Sequence, residues 1–171
     1  MTTTDRSESG RGRSELRAAR PELGAEPLTA WYDLAPGADA PATDPLGLAD
    51  DAGTWVEIAG REAIKAQTPQ TPGFGPWFPI AVKANVAVRG MDFSAASPAL
   101  QGNRAPADSG IVAALRAHGA VVAGISNMHE LAFGITGDNP HTGPVRNPAE
   151  ATRTAGGSSG GCAAAVARGQ V

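Results

Sequence analysis

Gly156-Gly157-Ser158-Ser159-Gly160-Gly161 runs directly into Cys162-Ala163-Ala164-Ala165-Val166-Ala167. Four glycines in six residues open positive φ to the backbone and let its amides approach a neighbour closely. The alanine-rich run behind them is small and helix-prone, and Gly169 stands where a left-handed cap is expected. The stretch is therefore predicted to be a tight turn that displays a hydroxyl and feeds a helix N-terminus, a place that favours negative charge. A flexible glycine-serine linker has the same turn composition. Linkers rarely lead into an apolar helix that needs burial, and the turn is the preferred reading.

Working back from that turn, the chain alternates strands and helices. Phe78-Pro79-Ile80-Ala81-Val82-Lys83 reads as a buried strand that ends in a lysine where another aliphatic residue would be expected. Ala120-Val121-Val122-Ala123-Gly124-Ile125 reads as a second buried strand. Between them a helix is signalled by Asp108 or Ser109 as cap, by Ile111, Val112 and Leu115 as an apolar stripe, and by Gly119 as terminator. A strand-helix-strand order with buried strands predicts a layered α/β fold whose sheet is at least partly parallel.

The flanks carry weaker signals. Thr54-Trp55-Val56-Glu57-Ile58 alternates as a half-buried strand does, and Arg61 to Ala66 suits a short helix. Thr68 to Pro79 is a turn-rich connector. Met128 to Phe133 suggests another helical segment, after which Gly137, Pro140, Gly143 and Pro148 describe a long loop leading into the glycine-serine turn. Residues 1–25 read as a disordered or loosely attached arm, with a short helix at Leu28 to Leu34 and a proline-rich connector at Pro36 to Pro45.

Composition bounds the function. The 171 residues are 42% hydrophobic but only 5% aromatic, with 22 glycines, which predicts a core of closely packed small residues. A net charge of -3 disfavours nucleic acid as a direct partner. One cysteine excludes an internal disulfide framework. No apolar run approaches the roughly 18 residues of a membrane span, and the opening MTTTDRSESGRGR lacks the apolar core of a secretory signal. Cytoplasmic residence without a membrane partner is the expectation. His118, His129 and His141 lack metal-ligand spacing and are read as structural or surface residues. Lys83 has three readings on pattern alone: a stem along a strand edge with its head in water, an ion-pair partner, or a base.

Three pieces in order narrow these. Ile80-Ala81-Val82-Lys83-Ala84-Asn85-Val86, then Gly119 to Ala132 with Gly124-Ile125-Ser126-Asn127-Met128-His129-Glu130-Leu131, then Gly156 to Gly161, together resemble the amidase signature family. The resemblance runs from about Trp55 to Val171 and implies the N-terminal part of a layered α/β/α fold with a mixed sheet, placed at 26–171. It implies a Ser-cisSer-Lys triad in which Lys83 is the base and Ser158, after a cis peptide, is the relay. The nucleophilic serine belongs to a further glycine-rich segment of the Asp-x-Gly-Gly-Ser kind that residues 1–171 do not contain. Phe133, Gly134, Ile135 and Thr136 match the part that lines the acyl pocket in relatives. The implied activity is hydrolysis of a small carboxamide of the aryl or indolyl acetamide type, with no metal or organic cofactor and with a homodimer allowed for the longer form. The alternatives are the glutaminase subunit of a tRNA-dependent amidotransferase and a truncated product without activity. After the lysine, Ala84 stands where the family usually has aspartate, and Cys162 stands where serine or glycine is common.

Overall fold

The computed structural model describes residues 53–67 and 77–171. The arm expected at 1–25, the helix at Leu28 to Leu34, the connector at Pro36 to Pro45 and most of the connector after Thr68 lie outside the described residues.

Three strands form the central sheet in the order β1 (Trp55–Ile58), β3 (Ala120–Ser126), β2 (Phe78–Lys83). β2 runs parallel to β3 and β1 runs antiparallel to it, so the sheet is mixed as expected. The parallel pair is joined through α2 (Gly110–Ala117), and every residue of β3 is buried, as a strand covered on both faces must be. A second sheet holds only the hairpin β4 (Arg146–Asn147) and β5 (Glu150–Thr154).

Two apolar layers sandwich the central sheet. Val82, Val122, Ile125 and Met128 meet Val112 of α2 on one face. On the other, Trp55, Val121 and Ala123 meet Ile64 of α1 (Arg61–Gln67) and Ala165 of α3 (Gly160–Ala167). Val122 and Ile125 are three apart yet share a face, which strict alternation forbids. The register explains it: Ile80 pairs with Val122 but Ala81 pairs with Gly124, so β3 carries an extra residue there and its parity flips. Where β1 has ended, the Gln67 amide takes over the ladder, accepting from Val122 N at 2.9 Å and donating to Val122 O at 3.3 Å.

Several expectations are corrected. Ser109 caps α2 by accepting from Val112 N, and Val112 is buried, but Ile111 is 63% exposed and does not belong to the inner stripe. The helix expected over Met128 to Phe133 is a single 3-10 turn, Glu130–Ala132, because Leu131 and Ala132 adopt φ of 52° and 63° and cannot propagate a right-handed helix. The long loop after Gly137 contains the β4–β5 hairpin, turned by Asn147 Oδ1 accepting from Ala149 N at 2.9 Å. Gly169, at φ +67°, ends α3 as expected. Among the described residues no helix is long and apolar enough to cross a membrane.

Candidate active site

Strand parity decides where Lys83 goes. Ile80 and Val82 pack toward α2, whereas Ala81 packs toward α1 and α3, so the next residue of that parity, Lys83, faces α3. There Nζ donates to Ser158 Oγ at 2.7 Å, across 75 residues of sequence. Both residues are half-buried. Among the described residues Lys83 forms no ion pair, so a neutral hydroxyl rather than a carboxylate meets its amine.

The Ser158 turn is held from below by the exit of β3. The Gly157–Ser158 peptide is cis. Ser158 O accepts from His129 N at 3.1 Å, and Gly161 N donates to Asn127 O at 3.1 Å. Asn127 is fully buried and fully used: Nδ2 donates to Gly53 O and Gly143 O, while Oδ1 accepts from Met128 N and Thr142 Oγ1. Asn139, equally buried, donates to Ala96 O and Met128 O and accepts from His141 N and Thr142 N. Two side-chain amides thus tie four backbone segments into one support for the turn.

The glycines of the turn serve close approach. A Cβ on Gly161 would stand 2.3 Å from Asn127 O and 2.6 Å from Thr54 O, both backbone atoms that cannot swing away. Gly161→Ala is therefore expected to lift the first turn of α3, costing about 2 kcal/mol by overpacking and lowering the melting temperature by roughly 5 °C. An unchanged melting temperature in a thermal scan would contradict this seating.

Ser159 occupies the N-cap position of α3, is exposed, and forms no side-chain cap bond. Cys162 is half-buried, with Sγ 2.9 Å from Ser126 Oγ, and fills the space between α3 and the strand ends. Ala84 is fully buried, with its N–H on Ser126 O and its carbonyl accepting from Ala95 N, so the position where the resemblance expects an aspartate sends no polar group toward Lys83.

The segment Phe133-Gly134-Ile135-Thr136 lies beside the Ser158 turn. A Cβ on Gly157 would stand 3.4 Å from the Ile135 carbonyl carbon and 2.7 Å from Gly137 N. Phe133 and Ile135 are 94% and 82% exposed, forming an apolar lip rather than a closed pocket. A cavity of about 510 Å³ lies apart from it, lined by Asp92, Ser94, Ser97, Gln101, His141 and Thr142 among others, and touching neither Lys83 nor Ser158. Among the described residues no group of His, Cys, Asp and Glu side chains converges on a common point suited to a metal ion.

A strand-end lysine bonded to the first serine of a glycine-serine turn can be set against known proteins. Over 101 residues the chain is 52% identical to the indoleacetamide hydrolase of Pseudomonas savastanoi, covering 59% of this chain and 22% of that protein. Over 92 residues it is 50% identical to a glutamyl-tRNA(Gln) amidotransferase subunit of Treponema pallidum, covering 54% of this chain and 18% of that protein. The chain thus spans about a fifth of the length of these relatives. Among solved structures, the corresponding glutamyl-tRNA(Gln) amidotransferase subunit of Thermotoga maritima superposes with a TM-score of 0.62 at 28% identity, over 86% of this chain and 29% of that one. Residues 58–171 match the Amidase family model, and the chain belongs to the amidase signature family.

Proposed function

We propose that this chain supplies the base and the proton relay of an amide hydrolase acting on small carboxamides. The single observation that carries this is the 2.7 Å bond between Lys83 Nζ and Ser158 Oγ. With an uncharged amine at Lys83 the contact works in the other direction: Ser158 gives its proton to Nζ while taking one from an attacking hydroxyl. That hydroxyl belongs to a serine in a glycine-rich segment not present in residues 1–171. It attacks the amide carbonyl, and the proton held on Lys83 returns through Ser158 to the departing ammonia or amine. Water then releases the acid, and backbone N–H groups near the nucleophile hold the oxyanion.

The apolar lip favours the class of amide. Phe133 and Ile135 offer an aromatic or aliphatic acyl arm a surface beside Ser158, and Gly134 and Thr136 complete that side of the substrate site. The second reading, the glutaminase subunit of an amidotransferase, draws on the amidotransferase relatives. It requires groups that hold the charged end of glutamine, which the lip does not offer.

A hybrid enzyme tests the proposal. The matched residues of this chain, placed in the indoleacetamide hydrolase in exchange for their counterparts, are expected to support hydrolysis of indole-3-acetamide and to leave glutamine untouched. A folded hybrid that releases no ammonia from any amide sinks the proposal. The polypeptide of residues 1–171 by itself is expected to give no turnover. Ammonia release from acetamide, phenylacetamide or glutamine by that purified chain, lost on Lys83→Ala, would overturn this expectation.

A further inference from the structure

His129 touches both halves of the site. Its backbone N–H donates to the Ser158 carbonyl at 3.1 Å, which fixes the start of the 129–133 segment relative to the serine. Its side chain reaches the other way. Nδ1 lies 3.4 Å from Thr136 Oγ1, and the ring covers Gly134 so closely that a Cβ built there would stand 2.2 Å from Nε2 and 2.3 Å from Cε1. Gly137 then lies against Gly156, where a Cβ would come within 2.2 Å of the Gly156 carbonyl oxygen. The loop is thus pinned under the imidazole at Gly134 and against the glycine-serine turn at Gly137. Phe133 and Ile135, which flank the covered glycine, keep their side chains outward.

We infer that His129 is a positioning residue that sets the apolar lip of Phe133 and Ile135 relative to Ser158, and so fixes a preference for amides with an apolar acyl arm; this rests on the amide-hydrolase reading above. The main-chain bond places residue 129 on the serine, and the ring places the lip on residue 129, so one residue transmits the distance between them. Without the ring, Gly134 and Ile135 gain conformational freedom that an apolar ligand must then remove on binding. A ligand too small to reach the lip has nothing to lose.

Equilibrium binding of phenylacetamide and acetamide, followed by ligand-observed NMR, tests this on the hybrid enzyme carrying Lys83→Met, in which no hydrolysis competes. The parent is expected to prefer phenylacetamide. His129→Ala should weaken phenylacetamide binding about tenfold, the scale of a few freed rotors, with acetamide binding changed less than about twofold. A purely structural histidine would weaken both alike. Gly134→Ala should reproduce the loss while the ring is present, and should add nothing in the His129→Ala background, where the space for the methyl has been vacated. Should His129→Ala fail to fold, Gly134→Ala and His129→Asn carry the same comparison. An unchanged phenylacetamide preference in folded variants, equal losses for both amides, or additive effects of the two substitutions overturns the inference alone. Absence of binding of either amide by the parent removes the amide reading and the inference with it.

Discussion

Lys83→Ala in the hybrid enzyme is expected to lower amide turnover about 10³-fold, the middle of the range for a positioned proton-transfer group, or about 4 kcal/mol of barrier. Because Nζ meets the Ser158 hydroxyl, the loss should appear in kcat with KM nearly unchanged. Lys83→Arg separates a base from a mere hydrogen-bond donor. Arginine can still donate to Ser158 Oγ but does not give up its charge, so it should be as inactive as alanine if Lys83 takes a proton, and partly active if it only holds the serine in place. Ser158→Ala should cost a similar factor, and the double variant should be little worse than either single one, since the two act as a unit. Turnover within tenfold of the parent in Lys83→Ala, in a hybrid that keeps its melting temperature, would end the proposed role.

The residues of that pair were legible in different ways. Val121 and Val122 announce β3 because a strand covered on both faces must be apolar at every position. The break in the apolar pattern at Lys83 marked it as unusual, but its contact lies 75 residues away and no local pattern encodes that distance. Only the resemblance brought Ser158 to it. Ile111 misled because apolar spacing alone does not say which side of a short helix meets the sheet. Arg146 to Thr154 gave no strand signal, since a polar hairpin exposed along most of its length needs no alternation. Nor did positive φ at Leu131 and Ala132 leave a trace, because neither residue type favours it and the bond from Leu131 N to Ala95 O that helps hold it is tertiary. Asn127 stood inside a piece that carries the resemblance but was given no role of its own, and Asn139 lay in the long loop after Gly137. A polar residue straight after seven buried strand positions was the available clue, since a buried amide must find partners.

Asn127 is where a single atom should matter most for stability. In Asn127→Asp, an oxygen replaces the Nδ2 that donates to Gly53 O at 2.8 Å and Gly143 O at 3.2 Å. An ionised carboxylate there would face two carbonyl oxygens in a fully buried position, a situation that costs about 3 to 5 kcal/mol. The protonated acid escapes most of this, because its O–H can donate to one of the two carbonyls. Folding therefore favours the protonated form and raises the folded-state pKa of the new carboxyl above its unfolded value of about 3.9. The sign follows from proton binding: between the two pKa values the folded state holds a proton that the unfolded state has released, so stability falls as pH rises, by about 1.4 kcal/mol per unit. Below about pH 4 both states are protonated, and the variant should lack only about 1 kcal/mol for the lost donor. Denaturant melts of variant and parent from pH 4 to pH 8 read the difference directly, with Asn127→Ala as a control whose deficit should not depend on pH. A gap of the same size at pH 4 and pH 7 would show that position 127 is open to solvent or relaxes freely. The widening gap should bring slackness at Ser158 with it, because the Asn127 carbonyl holds Gly161 N and the chain leaving Asn127 holds the Ser158 carbonyl through His129.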